Sequence, residues 1–78
     1  MKLLVRNISR SLTEQDISTL FATHGSVTEC NLVLDAQSGK SKGFAFIEMA
    51  DEDEAKAAIA TLHETMVAKS RMRVKIAQ

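Results

Sequence analysis

Seventy-eight residues with ten basic and ten acidic side chains make one small domain with no net charge. The chain is too short for a second core or for a large enzyme with a deep cleft, and its charge balance excludes a strongly basic, histone-like coat for nucleic acid. Apolar residues make up 45%, an ordinary folded mix, but ten of them are alanine and only three residues are aromatic, so a thin core is expected.

Residues 2–6 read as a short strand with Leu3 and Val5 on one face and Leu4 and Arg6 on the other. Thr13 has the place of a helix N-cap, with Glu14 and Asp16 in the first turn, where the helix dipole favours acids. Leu12 and Ile17 have the spacing of a hydrophobic staple. Ile17, Leu20 and Phe21 form the apolar stripe of this helix, and Gly25 is expected to cap its C-terminus. Residues 27–34 form a second strand, with Cys30, Leu32 and Leu34 on one face and Glu29, Asn31 and Val33 on the other. A polar loop from Asp35 to Lys42 leads to a third strand over 43–49. Asp51 caps a second helix, with Glu54 at the capping-box position and Ala55, Ala58, Ile59 and Leu62 at helical spacing. A last strand over 71–76 puts Met72, Val74 and Ile76 on one face and Arg71, Arg73 and Lys75 on the other.

The order is βαββαβ, an α+β arrangement. Two helices with one apolar stripe each cover only one face of a four-stranded antiparallel sheet. The other face stays open, and its occupants carry the functional signal. The third strand turns Phe44, Phe46 and Glu48 to that face, and Ala45, Ile47 and Met49 to the helices. Two flat rings outside the core of an aromatic-poor domain suit stacking on unpaired bases. Lys2, Arg6, Arg71, Arg73 and Lys75 are expected beside them, with Lys42 at the edge, against only Glu29 and Glu48. The remaining acids gather on the helices, so a neutral chain is expected to be dipolar.

The segment Lys42-Gly43-Phe44-Ala45-Phe46-Ile47-Glu48-Met49 resembles the ribonucleoprotein octamer of the RNA recognition motif family. Leu3-Leu4-Val5-Arg6-Asn7-Ile8 resembles the companion hexamer of the first strand. The resemblance spans essentially the whole chain and implies a single RNA recognition motif domain over 1–78, with the ferredoxin-like sandwich fold. It implies single-stranded RNA laid across the sheet, with Phe44 and Phe46 stacking, Lys42 on a phosphate, and Lys2, Leu4, Arg6, Asn31, Arg71, Arg73 and Lys75 as further contacts. It extends to small single-domain RNA-binding proteins of bacteria, which implies a role as an RNA chaperone or regulator. The hexamer's usual aromatic is Leu4 here, and the octamer's last aromatic is Met49. The Gly-Arg pair that often precedes the last strand is replaced by Lys69-Ser70.

Other chemistry finds no support in the residues. Cys30 stands alone, which excludes an internal disulfide and paired-thiol redox or zinc sites. Gly39-Lys40-Ser41 resembles the end of a phosphate-binding loop, but position 34 is leucine and a strand follows in place of a helix. His24 and His63 fall near helix C-termini, where capping is expected. No secretory leader is read at the start, and no apolar run approaches the roughly 20 residues that span a bilayer. The expected protein is a cytoplasmic monomer without enzymatic activity, cofactor, metal or membrane contact. Its partner is single-stranded RNA, with single-stranded DNA as the related substrate. A protein-interaction module of the same fold, gripping a partner through Leu4, Phe44 and Phe46, is the competing expectation.

Overall fold

Leu3 and Val5 are fully buried while Leu4 and Arg6 are not, so the alternation in the first strand sorts its residues onto two faces as expected. The computed structural model describes residues 1–77. Its elements are β1 (Lys2–Arg6), α1 (Glu14–Ala22), β2 (Val27–Leu34), β3 (Ser41–Met49), α2 (Glu52–Leu62), β4 (Met66–Val67), β5 (Ser70–Arg71) and β6 (Arg73–Ile76). Four strands make one sheet in the order β2-β3-β1-β6, antiparallel at each junction. The architecture is the α+β, ferredoxin-like sandwich, with both helices on one face of the sheet.

The core lies between that face and the helices. Leu3, Val5, Ala45, Ile47, Met49 and Val74 come from the sheet, and Ile17, Phe21, Ala55, Ala58 and Leu62 from the helices. Burying one large apolar side chain contributes about 1.5–3 kcal/mol. Alanine at 55 and 58 brings α2 close to the sheet at the cost of that contribution. Phe21 is the one ring in this cluster, which leaves the other two for the opposite face.

The helix starts are local chemistry. Thr13 and Asp16 form a reciprocal capping box: the Asp16 N–H donates to Thr13 Oγ1 at 3.2 Å and the Thr13 N–H to Asp16 Oδ2 at 2.9 Å. At α2 only half of the box forms. The Glu54 N–H donates to Asp51 Oδ1 at 3.0 Å, but the Glu54 carboxylate turns away to accept from the Ser26 N–H at 3.2 Å. This explains Gly25, which does not cap α1 as expected. The α1 cap is Thr23 in the right-handed region, and a Cβ on Gly25 would fall 2.5 Å from Glu54 Cβ. Gly25 is small so that Glu54 can pass.

Two irregularities set the register of the sheet. β2 carries one extra residue at Thr28, so Val27 and Cys30 both turn toward the helices while Glu29 lies opposite Glu48. Between the pairs Leu32↔Ala45 and Leu34↔Ser41, β3 carries two extra residues. Gly43, at φ 86°, absorbs that bulge. β3 thus begins at Ser41, two residues before its expected start. Leu34, past the bulge, is 52% exposed, and Ile76, at the end of β6, is 44% exposed; neither joins the core face as expected. β2 is a sheet edge, and there the Leu32 N–H donates to Glu14 Oε2 at 2.9 Å, which occupies an edge donor with a charged side chain.

The last strand differs most. Residues 70–71 leave the main sheet and pair with 66–67 in a separate hairpin, and β6 starts at Arg73. The hairpin turns on Ala68 and Lys69, both with positive φ, as a two-residue turn of this hand requires. Met72 between the two short strands is fully buried. Its N–H donates to the Thr65 carbonyl and its carbonyl accepts from the Glu64 N–H, so buried Met72 fixes the break.

Candidate nucleic-acid interface

Strand register places side chains on the open face in rungs. Leu4 lies opposite Phe46 on one side and Lys75 on the other, and Phe46 lies opposite Asn31. One rung thus crosses all four strands as Asn31, Phe46, Leu4 and Lys75. The rung before it holds Glu29, Glu48 and Lys2. The rung after it pairs Arg6 with Arg73, with Phe44 two residues from Phe46 on the same face.

The rings sit at the centre. Phe44 and Phe46 are half-buried and meet edge to face, with centroids 6.3 Å apart and planes at 86°. Lys2 Nζ lies over the Phe46 ring, 5.6 Å from its centroid. Two half-buried rings and Leu4 make an apolar strip bounded by polar side chains, and neither helix covers it.

Charge is graded along this face. At one end Glu29 faces Glu48 directly, and Asn31 Nδ2 donates to Glu29 Oε1 at 2.6 Å. At the other end a concavity of about 600 Å³ is lined by Arg6, Arg10, Lys42 and Arg73, together with Asn7 and Phe44. The Ile8 N–H donates to the Gly43 carbonyl at 2.8 Å, which ties the loop after β1 to the β3 bulge and sets the floor of this corner.

Of the residues singled out from sequence, Lys2, Leu4, Arg6, Asn31, Phe44, Phe46, Arg73 and Lys75 come together on the open face, with Lys42 at its rim. Arg71 does not join them. It belongs to the β4–β5 hairpin, and its carbonyl accepts from Asn7 Nδ2 at 2.7 Å. Asn7 itself takes a left-handed backbone at φ 56°, which asparagine tolerates better than most residues. Arg10 and Asn7 were not legible as site residues, because they stand in a loop with no periodicity to assign a face. A basic residue four positions after Arg6, just past a turn, is the only hint the sequence offers.

The titratable groups elsewhere serve structure. His63 stands at the C-cap of α2, and its Nδ1 accepts from the Val74 N–H at 3.0 Å, which ties the end of α2 to β6. Burial, and after it the Glu14 carboxylate, push the Cys30 thiol from 9.0 up to about 11. Among the described residues no three His, Cys, Asp or Glu side chains converge at metal distance, and no helix is long and apolar enough to cross a membrane.

The RNA recognition motif profile matches residues 3–73. The chain belongs to the RNA recognition motif family. The putative RNA-binding protein RbpF of Nostoc sp. strain PCC 7120 is 44% identical over 59 residues, covering 76% of this chain and 56% of the relative. The solved RNA-binding protein PG1 is 34% identical and superposes with a TM-score of 0.95, over 99% of this chain and 93% of its own. A Sex-lethal protein–RNA complex is 28% identical with a TM-score of 0.93, over 97% of this chain and 47% of that one. The chain spans about half of the length of RbpF and 43% of a glycine-rich RNA-binding protein of Mycosarcoma maydis, to which it is 37% identical.

Within this RNA recognition motif, the two departures from the usual pattern have different weight. Met49 replaces the last aromatic of the octamer in the core, where it is fully buried, so the substitution repacks the interior and leaves the open face untouched. Leu4 replaces the hexamer aromatic at the centre of the long rung, between Phe46 and Lys75. There the motif presents an aliphatic side chain where its relatives' pattern presents a ring.

Proposed function

We propose that this chain is a non-catalytic module that binds single-stranded RNA across the open sheet face. Phe44 and Phe46 stack on bases, Leu4 packs against a base or sugar, and Lys2, Arg6, Lys42, Arg73 and Lys75 contact the phosphate backbone. Arg71 lies outside this group, at the hairpin margin. The carrying observation is the Phe44–Phe46 pair on a face that no helix covers, flanked by cations along β1 and β6. A folded domain this poor in aromatics forgoes core burial by leaving two rings outside, and base stacking returns about 1–3 kcal/mol per ring. The relatives named for RNA binding and the RNA complex of a structural neighbour support the same reading. It needs one copy of the chain, no cofactor and no bond-making step. It suits a cytoplasmic handler of RNA, a chaperone or regulator, where a lone Cys30 thiol stays reduced.

The test is fluorescence anisotropy with a labelled RNA oligomer across a salt series. Three or four phosphates neutralised at about 0.7 counterion each give a slope of log affinity against log salt of about −2 to −3. A slope near zero with binding intact would contradict the reading, and capture of a protein through the same apolar strip would then take its place.

A further inference from the structure

The concavity at the end of the face holds more positive charge than one internal phosphodiester uses. Arg6, Arg10, Lys42 and Arg73 all line it, and no acid does. Among the described residues none of the four forms an ion pair. The Asp35 carboxylate accepts from the Gln37 and Ser38 N–H groups at 2.9 and 3.0 Å and forms no ion pair with Arg10. Four unpaired cations repel one another, and a site that gathers them is waiting for compensating negative charge.

Position adds to the count. The rung of Glu29, Glu48 and Lys2 lies at the far end of the face, where the N-terminal ammonium stands 3.6 Å from Glu48 Oε1, and the uncompensated basic corner lies beyond Phe44, past the last ring. A strand laid over Phe46 and Phe44 reaches the corner where stacking surface runs out. An internal phosphodiester brings one charge there. A terminal phosphate monoester brings about −1.5 to −2 at pH 7 and three acceptor oxygens. Arginine is suited to it, since its planar fork can give two parallel hydrogen bonds to phosphate.

Resting on the RNA-binding reading above, we propose that the Arg6–Arg10–Lys42–Arg73 corner is a binding site for the terminal phosphate of an RNA strand, with Arg10 as the residue that distinguishes a phosphorylated end from a bare one. Arg10 is exposed and stands in the loop before α1, so its removal leaves the core and the stacking rings in place.

The experiment compares one short single-stranded RNA in three forms, with a 5′-phosphate, with a 3′-phosphate and with neither, labelled at the opposite end. Binding by anisotropy to the wild-type chain and to Arg10→Ala gives six affinities. One phosphorylated form should bind about tenfold tighter than the bare oligomer, as expected for hydrogen bonds to a charged group. Which end does so fixes the direction of the strand. Arg10→Ala should erase that gain, so that the three forms bind the variant alike. The gain should also shrink between about pH 7.5 and pH 5.5, as the phosphate takes up its second proton near pH 6. Bare RNA that binds well and gains nothing from either phosphate overturns this inference alone. A gain that survives Arg10→Ala overturns the assignment of the corner. No binding of any form overturns the RNA reading itself, and this inference with it.

Discussion

The ammonium of Lys2 lies over the ring of Phe46, 5.6 Å from its centroid, although Lys2 is paired across the strands with Glu48. The ring face that would receive a base is therefore already occupied by a cation. A cation–π contact at an exposed site contributes about 0.5–1 kcal/mol, less than a stacked base. A base can displace Lys2, and the freed ammonium then lies within reach of the backbone. Lys2→Ala loses one phosphate contact and also relieves the face of its occupant. It should weaken RNA binding less than Arg73→Ala does, in anisotropy at moderate salt. A loss as large as that of Arg73→Ala contradicts the displacement.

Phe44→Ala and Phe46→Ala should each weaken RNA binding by about 1–3 kcal/mol with little change in melting temperature, because neither ring belongs to the buried cluster. Ile47→Ala, between them in sequence and fully buried, should cost about 2–5 kcal/mol of stability instead. Thermal melts beside binding curves separate the two effects. Loss of folding in either phenylalanine variant would reverse the face assignment.

Leu4→Phe should tighten binding by about 1 kcal/mol. The side chain stands between Phe46 and Lys75 on the long rung, so a ring there extends the stacking strip by one platform. Unchanged affinity for several RNA sequences would mean that the strand does not pass over β1.

The Cys30 thiol, raised to about 11 chiefly by burial and then by the Glu14 carboxylate, should be slow to alkylate. Iodoacetamide at about pH 8 should modify the native chain at least about tenfold more slowly than the denatured chain, followed by mass spectrometry, since only the thiolate reacts. The folded state holds this proton more tightly than the unfolded state. The associated stability is complete below the ordinary value of 9.0 and is lost as pH rises through about 11. Equal alkylation rates in the native and denatured chains would contradict the burial.

Much of this molecule is legible in its sequence where a period repeats. Five strand residues suffice to separate Leu3 and Val5 from Leu4 and Arg6, and the same period of two brings Phe44 and Phe46 to one face. The legibility fails where no period exists. Strands of two residues around Ala68 and Lys69 carry no alternation, and their turn lacks the Asn or Gly that usually marks one, so Arg71 reads as part of the last strand. Arg10 and Asn7 lie in a loop whose shape is set by partners distant in sequence: the Gly43 carbonyl for Ile8 and the Arg71 carbonyl for Asn7. Gly25 reads as a cap because glycines often are; its actual neighbour, Glu54, is 29 positions away.

The most direct test is an amide NMR titration of the chain with a mixed-sequence single-stranded RNA. Binding on the open face predicts that the largest shifts fall on β1, β3 and β6, centred on Leu4, Phe44, Phe46 and Lys75, with the loop at Arg10 following. The amides of Lys56 and Ala60 on the outer side of α2 should stay unmoved. Shifts concentrated on α1 and α2, with Phe44 and Phe46 still, would contradict the account.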